Sequence, residues 1–299
     1  MNKIVNSDAL DALRKLPDSC CRTCITSPPY YGLRDYGTAG QIGLEDTPDQ
    51  YIENLVKIFR EVRRVLKDDG TLWVNIGDSY TQKNLNGIPW LLAFALRSDG
   101  WYLRSDIIWQ KPNAMPESVK DRPTRAHEYI FLLSKSSRYY YDAEAVKEPA
   151  VGFYNAAPAG SAGTGKPNAR RRGNSRTFRG GGAYTHDRAQ NNSATVERES
   201  HGLAPNESGK RNRRSVWTIA TRPYKGAHFA TFPEELVRPC ILAGSRPGDT
   251  VLDPFAGSGT TGAVAEQEGR DFIGIEINPD YCEIIRQRLD ACCQKGAKP

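Results

Sequence analysis

The sequence predicts an α/β fold built around a mostly parallel sheet. Near the carboxyl end, helical and strand-like stretches alternate strictly, at 233–244, 249–255, 259–269, 270–277 and 279–293. Strands that alternate with helices in this way form βαβ units, in which neighbouring strands run parallel. With 299 residues, of which 38% are hydrophobic, the chain can bury a sizeable core as one large domain or as one domain plus an insertion.

The amino-terminal half contains further elements of the same kind. Residues 47–66 carry apolar side chains at helical spacing, Thr47 and Gln50 fit a capping box, and Pro48 suits a first helical turn. The DDG triplet at 68–70 is predicted to end this helix. The other predicted elements are a buried strand at 21–26, a strand at 71–80, a helix at 88–98 and strands at 101–111 and 128–141.

Basic residues are concentrated in one polar segment. The chain has a net charge of +6, yet residues 151–214 alone hold 12 Lys and Arg against 4 Asp and Glu, a local charge of +8 that leaves −2 for the rest. This segment is rich in Gly, Asn, Ser and Arg and contains little from which to build a core. Its composition fits a disordered, solvated linker as well as a functional insertion.

Several classes of protein are disfavoured by features that the sequence lacks. No apolar run approaches the roughly 18 residues of a membrane span, and Asp8 and Asp11 interrupt the stretch where a signal peptide would be apolar, so we expect a cytoplasmic protein. Cys20, Cys21 and Cys24 have no second matched pair at zinc-binding spacing, and the four histidines do not group. We therefore expect free thiols and no metal site.

An unusual segment, TSPPY at 26–30, follows the predicted strand at 21–26. Pro28 and Pro29 cannot donate backbone hydrogen bonds, so they end that strand abruptly. The residues that follow, as far as Gly37, combine flat tyrosine side chains with flexible glycine backbone. A turn that only closes a strand is the simpler interpretation, and a site for a planar ligand is the functional one.

A glycine-rich turn, DPFAGSGTTG at 253–262, lies between a predicted strand and a predicted helix. Such a turn lets the backbone approach a ligand, but this one lacks the Lys of a P-loop, and Asp253 would repel a pyrophosphate. A ligand with a cationic amino group suits Asp253 better. Glu276 ends the next strand 23 residues later, near the interval of roughly 20 residues at which an acid meets ribose hydroxyls. A strand-to-helix connection without a ligand is the alternative.

The two motifs TSPPY and DPFAGSGTTG resemble those of the S-adenosylmethionine-dependent DNA amino-methyltransferases, specifically the permuted β class, in which the catalytic motif precedes the cofactor motif. The resemblance covers nearly the whole chain outside the basic segment. It implies an α/β fold with a seven-stranded, mostly parallel, Rossmann-like methyltransferase sheet, circularly permuted, with an inserted basic target-recognition region. The implied domains are a catalytic half at 1–142, the insertion at 143–215 and a cofactor-binding half at 216–299.

The resemblance implies S-adenosyl-L-methionine as the cofactor and assigns residues to it. Asp253 would pair with the amino group of the cofactor, Glu276 would accept from the ribose hydroxyls, and Asp8 would meet the adenine edge. The family's remaining cofactor motif matches the sequence around Phe232. The turn residues complete the implied cofactor site: Pro254, Phe255, Gly257, Ser258, Gly259 and Thr260.

The resemblance also implies a catalytic pocket for a base flipped out of double-stranded DNA. A base amino group is a poor nucleophile because its lone pair is delocalised into the ring, so the pocket must offer hydrogen-bond acceptors to its N–H groups. Pro28 and Pro29 would supply carbonyls without competing donors, and Ser27 would add a side-chain acceptor. Tyr30 would stack on the base. All these sites would lie at strand carboxyl ends, in one crevice.

The product and the partners are also predicted through the resemblance. Members with Ser before Pro-Pro mostly modify cytosine N4, so Ser27 favours that product, with adenine N6 as the alternative. A nucleic-acid-binding module without catalysis and an enzyme acting on RNA or protein are further alternatives. The expected partner is double-stranded DNA, and a companion restriction endonuclease and a homodimer are compatible with the sequence. The predicted DNA contacts are Tyr31, Arg34, Arg170, Arg171 and Arg172.

Overall fold

The structure is a computed structural model that describes residues 2–35, 37–150, 209–221 and 232–296, with side chains as far as residue 292. Residue contacts divide the chain into two units, one of residues 1–147 with 212–299 and one of residues 148–211. The predicted functional division at 143–215 stays a prediction. No helix among the described residues is long and apolar enough to cross a membrane.

The described elements before the basic segment follow one another in short steps. In chain order they are β1 (Lys3–Asn6), α1 (Ala9–Arg14), β2 (Cys21–Thr26), α2 (Pro48–Val65), β3 (Leu66–Ile76), β4 (Tyr80–Thr81), β5 (Asn84–Leu85), α3 (Ile88–Ser98), β6 (Tyr102–Gln110) and β7 (His127–Ser134).

The remaining described elements flank and follow the basic segment. They are β8 (Glu148–Pro149), β9 (Lys210–Arg211), β10 (Val216–Thr218), α4 (Glu234–Gly244), β11 (Thr250–Asp253), α5 (Thr260–Gln267), β12 (Asp271–Glu276) and α6 (Pro279–Gly296). The alternation predicted for the carboxyl-terminal half is confirmed. In the second unit, β8 and β9 form an antiparallel pair across which Arg211 Nε donates to Glu148 Oε1 at 2.9 Å.

The central sheet is mostly parallel, as predicted, but within the described residues it has eight strands and not seven. Its order is β1-β12-β11-β2-β3-β7-β6-β10, and β7 alone runs antiparallel to its neighbours. The extra strand is β10, which pairs with the end of β6 and whose neighbour Ile219 accepts a 2.8 Å hydrogen bond from Trp109 Nε1. A strand of three residues is too short to show a periodic pattern in the sequence.

Two other predicted boundaries were wrong. The strand after α2 begins at Leu66, before the DDG triplet. Its register with β2 shifts between Cys21, which pairs with Leu66, and Thr23, which pairs with Thr71, and this irregularity accommodates residues 67–70. The strand predicted at 128–141 ends at Ser134, where Ser134 Oγ donates to Ser136 O at 2.7 Å and turns the chain. In both places a local side-chain or bulge interaction overrides the propensity pattern.

Among the described residues, three helices cover each face of the sheet. Helix α2 begins as predicted, with Thr47 accepting from the Gln50 N–H at 3.3 Å, and its buried residues join those of α1 and α3 on one face. Helices α4, α5 and α6 contribute to the core on the other face. Strand β3 alternates between them, because Leu72 and Val74 face the first core and Trp73 faces the second.

The carboxyl ends of five neighbouring parallel strands meet at one edge of the sheet. These strands are β1, β12, β11, β2 and β3. The amino-terminal strand β1 is thereby paired with the carboxyl-terminal strand β12, in register from Lys3 with Ile273 to Asn6 with Glu276. Open α/β sheets bind ligands at this edge, so the topology brings both sequence motifs to one place.

Candidate active site

The glycine-rich turn connects the end of β11 to the start of α5. Gly259 precedes the helix with a φ of 79°, in the left-handed region, and a Cβ there would lie 3.0 Å from Ile285. Glycine is therefore required both by conformation and by space. The helix has no side-chain cap at this end. The first N–H groups of an α-helix have no intrahelical partner, so this end can receive an anionic group.

Asp253 lies at the base of this turn and is completely buried. Its Oδ1 accepts from Thr26 Oγ1 at 2.7 Å and from the Phe255 N–H at 3.1 Å, and its Oδ2 accepts from Thr261 Oγ1 at 2.7 Å. Burial raises the pKa of Asp253 to about 6. The direct pairing with a cofactor amino group, expected from the sequence, stays a prediction. In this structure the enclosed carboxylate supports the turn through its bonds with Phe255 and Thr261.

Glu276 reaches the same turn from the end of β12. Its Oε2 accepts from the Gly257 N–H at 2.8 Å and its Oε1 from the Asn278 N–H at 2.9 Å. Burial raises the pKa of Glu276. A carboxylate has about four acceptor positions, so two accepted bonds leave capacity for ligand hydroxyls. The predicted role of Glu276 is compatible with this geometry and stays a prediction.

Ser258 is a second polar residue in the turn, and it is nearly buried. Its Oγ has no hydrogen-bond partner among the described residues. A buried hydroxyl without a partner is costly unless a ligand or water completes it. Arg288 holds the turn from behind, donating to Ser258 O at 3.4 Å and to Thr260 Oγ1 at 3.1 Å. The turn therefore has the donors and the orphaned hydroxyl that a carboxylate-bearing ligand needs.

The two outlying cofactor predictions, Asp8 and Phe232, occupy different surroundings. Asp8 Oδ1 caps helix α1 by accepting from the N–H groups of Leu10 and Asp11 at 2.8 and 3.1 Å. Phe232 lines a small cavity together with Thr26 and Asn75. Phe232 is thus close to the start of TSPPY, whereas the Asp8 carboxylate already has a structural role. Pro254 is buried and Phe255 half-buried within the turn.

The segment Ser27–Tyr30 leaves the sheet directly after β2. Pro28 is buried, and the carbonyl of Pro29 accepts a 2.8 Å hydrogen bond from the hydroxyl of the buried Tyr51. This bond directs the Pro29 carbonyl towards α2. The carbonyl of Pro28 and the hydroxyl of Ser27 therefore remain the better candidates for the acceptors predicted to hold a base amino group.

Tyr30 is the centre of a polar cluster that sequence reasoning missed. Its hydroxyl donates to Glu128 Oε2 at 2.8 Å and accepts from Asn75 Nδ2 at 2.8 Å. Lys111 forms an ion pair with Glu128 Oε1 and lies 4.3 Å from the centre of the Trp109 ring. Burial, with the negative charge of Glu128, raises the pKa of Tyr30 well above its usual value. The phenol is therefore protonated at neutral pH.

Asn75 also reaches Ser27, and one of its atoms is unpartnered. Its Nδ2 lies 3.4 Å from Ser27 Oγ and 3.0 Å from Glu128 Oε2, while its Oδ1 is buried without a partner among the described residues. The result is an open acceptor beside the catalytic segment. The only signal in the sequence was a polar residue inside the apolar run LWVNI of a predicted strand.

Gly77 fixes the ring of Tyr30. A Cβ on Gly77 would lie 2.6 Å from Tyr30 Cε2, so the backbone after β3 is in direct contact with the edge of the ring. A residue larger than glycine at this position would displace Tyr30. The tyrosine is therefore held by backbone on one side and by Glu128 and Asn75 at its hydroxyl.

The predicted DNA contacts have unequal outcomes. Tyr31 is a packed loop residue, since its ring lies 5.6 Å from that of Tyr51 and its hydroxyl donates to Asp46 O at 3.3 Å. Arg34 is exposed, as a DNA contact requires. The predicted contacts Arg170, Arg171 and Arg172 lie outside the described residues. In the described ranges no cluster of three His, Cys, Asp or Glu could hold a metal ion.

Comparison with known proteins identifies the class of this site. A family model described as DNA methylase, N6_N4_Mtase, matches residues 21–287. The chain belongs to this DNA methylase family. The type II methyltransferase M.Cfr9I of Citrobacter freundii is 47% identical over 315 residues, which cover 96% of this chain and 87% of that protein.

Solved structures share the fold of this DNA methylase. The cytosine-N4-specific PvuII DNA methyltransferase has a TM-score of 0.66 and 21% identity, over 98% of this chain and 91% of its own. The M1.HpyAVI–SAM complex has a TM-score of 0.56 and 17% identity, over 97% and 100%. The predicted resemblance to the DNA amino-methyltransferases is thus confirmed for the family, with DNA methylation as the reaction class and S-adenosyl-L-methionine as the cofactor, and membership of the permuted β class stays a prediction.

Proposed function

We propose that this DNA methylase transfers the methyl group of S-adenosyl-L-methionine to the exocyclic N4 of cytosine at specific sites in double-stranded DNA. The observation that carries the proposal is Ser27, a neutral acceptor before Pro-Pro, 3.4 Å from an asparagine whose Oδ1 is buried and unpartnered. The cytosine-N4 specificity of the PvuII enzyme, which has the same fold, supports the choice of base.

The pocket would activate the amino nitrogen by accepting its hydrogen bonds. Ser27 Oγ, the Pro28 carbonyl and Asn75 Oδ1 can each accept from an N–H group. Holding both N–H groups out of the plane of the ring would localise the lone pair on nitrogen, where it can react. Tyr30 would lie against the face of the base and keep water away. The cofactor, when bound, supplies an electrophilic methyl group: the bond from nitrogen to the methyl carbon would form as the sulfur–carbon bond breaks, the sulfur would keep that electron pair, and the amino nitrogen would release one proton.

The glycine-rich turn would hold the cofactor next to this pocket. Ser258 Oγ and the start of α5 suit its carboxylate, and Glu276 suits its ribose hydroxyls. The buried charge of Asp253 would attract the amino group of the cofactor. The proximity of the two sites follows from the neighbouring strands β11 and β2.

The partner of the proposed reaction is duplex DNA from which one base is flipped out. A base inside the stack cannot bring its amino group to a pocket at the edge of a sheet, so extrusion is required. The name of M.Cfr9I as a type II methyltransferase supports a companion restriction endonuclease for this chain as well. We also propose that the protein acts in the cytoplasm and that it can form a homodimer.

The experiment that tests the proposal is identification of the modified nucleoside. Duplex DNA is incubated with the protein and S-adenosyl-L-methionine, digested completely, and analysed by mass spectrometry. We expect N4-methyl-2′-deoxycytidine and no methylated adenine nucleoside. Appearance of N6-methyladenine alone would replace cytosine by adenine as the target. Absence of any methylated nucleoside, with the cofactor bound, would favour a binding module that has lost catalysis.

A further inference from the structure

A β-hairpin with a two-residue loop lies between strand β3 and helix α3. Strands β4 and β5 pair through Tyr80 with Leu85 and Thr81 with Asn84, which leaves Gln82 and Lys83 at the tip. Both tip residues have left-handed φ angles, 49° and 67°. Such turns normally contain Asn-Gly or a similar pair, because other residues are strained in this region. The described residues include only one other non-glycine residue of this kind, Ser19.

The base of the hairpin is firmly held, so the strained tip does not result from a loose loop. Asp78 Oδ1 accepts from the N–H groups of Ser79 and Ile88 at 2.9 and 3.1 Å, and Asp78 Oδ2 accepts from Gly87 at 3.1 Å. The N–H of Asn86 donates to Ser79 O at 3.0 Å. These bonds tie the hairpin to the start of α3.

The hairpin is also next to the catalytic pocket. Gly77, three residues before the first hairpin strand, contacts the Tyr30 ring. Arg125, which precedes Glu128 by three residues, donates to Asp78 O. Arg125 and Arg122 both lie over the ring of Tyr80, at 5.3 and 4.3 Å from its centre. Arg122 and Arg125 therefore fix the position of the hairpin at the edge of the pocket.

The tip itself is presented to solvent. Residues 80–85 are all exposed, and the Lys83 side chain is 90% accessible. Its ion pair with Asp121 spans 3.9 Å between two exposed side chains and contributes little. Glutamine carries both a donor and an acceptor, as a base edge does, and lysine carries the charge that a phosphate attracts.

We propose that this tip enters the DNA beside the target base, with Gln82 against the partner base that the flipped base leaves behind and Lys83 on the adjacent phosphate. The proposal rests on the proposed function, since it assigns a role in opening the DNA for the same site. Asn-Gly would form the same turn without strain, but neither side chain would be long enough to reach into a duplex. The sequence thus has long side chains at a turn where they strain the backbone, and such strain is common at functional positions.

The test is the double variant Gln82→Asn with Lys83→Gly, compared with Ser19→Gly. Both should raise the melting temperature, because both relieve left-handed strain. Ser19 belongs to the turn before β2, at the opposite edge of the sheet, so Ser19→Gly should leave all DNA functions unchanged. The double variant should bind duplex DNA and flip the target base about tenfold more weakly, measured with a fluorescent base analogue at the target, with unchanged affinity for S-adenosyl-L-methionine.

A substrate with a weakened target pair separates the two proposals. Placing the target base opposite an abasic site removes most of the cost of flipping. On this duplex the double variant should methylate at close to the wild-type rate. Wild-type flipping and methylation by the double variant on ordinary duplex would overturn the role of the tip, and so would a defect that the abasic site does not rescue. Failure of the wild-type protein to methylate either duplex would instead overturn the proposed function.

Discussion

Asp253 accepts a 2.7 Å hydrogen bond from Thr26, and this bond joins the end of β11 to the end of β2. Thr26 immediately precedes the catalytic segment, and Asp253 begins the glycine-rich turn. Both side chains are completely buried. The proposed cofactor site and the proposed base pocket would therefore share one contact.

Replacing Thr26 by Val should lower turnover more than it lowers cofactor affinity. Valine keeps the shape of threonine but removes the donor to Asp253, at a cost in stability of about 1.5–3 kcal/mol because the acceptor is charged. Loss of the tie should let Ser27 move, and a small misplacement at the reacting atoms can cost about tenfold or more in rate. The measurements are urea unfolding and kcat.

Thr261→Val is the matched control for this prediction. Thr261 donates to the other oxygen of Asp253, also at 2.7 Å, but it lies on α5 and not beside the catalytic segment. It should cost similar stability with a smaller effect on kcat. Equal losses of kcat in the two variants would mean that the Thr26 bond has no particular role in catalysis.

Asp253→Asn should change how stability depends on pH. The pKa of Asp253 is raised by burial from 3.8 to about 6, so the folded state binds this proton more tightly than the unfolded state does. The contribution of Asp253 to stability is therefore present below about pH 4 and is lost as the pH rises through about 6. Two pKa units correspond to at most about 3 kcal/mol.

The measurement for Asp253→Asn is the difference in unfolding free energy between variant and wild type. It is made at about pH 4.5 and at about pH 7.5, on either side of the raised pKa. Asparagine remains neutral, so the difference should shift in favour of the variant as the pH rises. Other titrating groups are common to both proteins and cancel. A difference independent of pH would show that the carboxyl of Asp253 titrates normally.

The fold was predictable where one helix or strand carries its own pattern. Helix α2 has apolar residues at helical spacing and a Thr47 cap, and both were sufficient to locate it. Strand β10 and the β4–β5 hairpin were not predicted, because neither has such a pattern. The first has only three residues, and the second turns at Gln82 and Lys83, which are not turn-forming residues.

The candidate site was predictable only where its residues are adjacent in the sequence. TSPPY and the glycine-rich turn are continuous motifs. Asn75, Glu128 and Lys111 come together because β7 runs antiparallel between β3 and β6, and nothing local in the sequence specifies that pairing. The enclosure of Asp253 likewise depends on Thr26, 227 positions away, and nothing near Asp253 in the sequence indicates that bond.

Glu276→Gln should weaken binding of S-adenosyl-L-methionine while preserving the fold. The carboxylate accepts from Gly257 and Asn278, and its remaining acceptor positions are those proposed for the ribose hydroxyls; an amide nitrogen cannot accept, so glutamine loses part of that capacity. A loss of about 1.5–3 kcal/mol corresponds to a dissociation constant raised by roughly tenfold to a hundredfold. Calorimetry measures it. Glu283→Gln, at an exposed position on α6, is the control and should bind normally; equal affinities in both variants would exclude Glu276 from the cofactor site.

Tyr30→Ala and Tyr30→Phe should separate the ring from its hydroxyl. Alanine removes stacking on a base, worth about 1–3 kcal/mol, and should lower kcat/KM for DNA accordingly. Phenylalanine keeps the ring but leaves Glu128 and Asn75 without the phenol, so its defect should appear in kcat. Cofactor affinity should be unchanged in both. An alanine variant with wild-type turnover would contradict the proposed base pocket.

The last prediction concerns the basic segment, residues 151–214, whose charge of +8 can neutralise DNA phosphates. Replacing Arg170, Arg171 and Arg172 by Ala should weaken DNA binding and reduce its log–log salt slope by up to about one unit per lost phosphate contact. Cofactor affinity should not change. Exchange of the whole segment for a Gly/Ser linker should abolish site selectivity, because Arg and Asn side chains can read base edges. If the exchanged protein still methylated the same sites at the same rate, recognition would lie elsewhere, and exposed Arg34, in the loop after TSPPY, would be the next residue to replace.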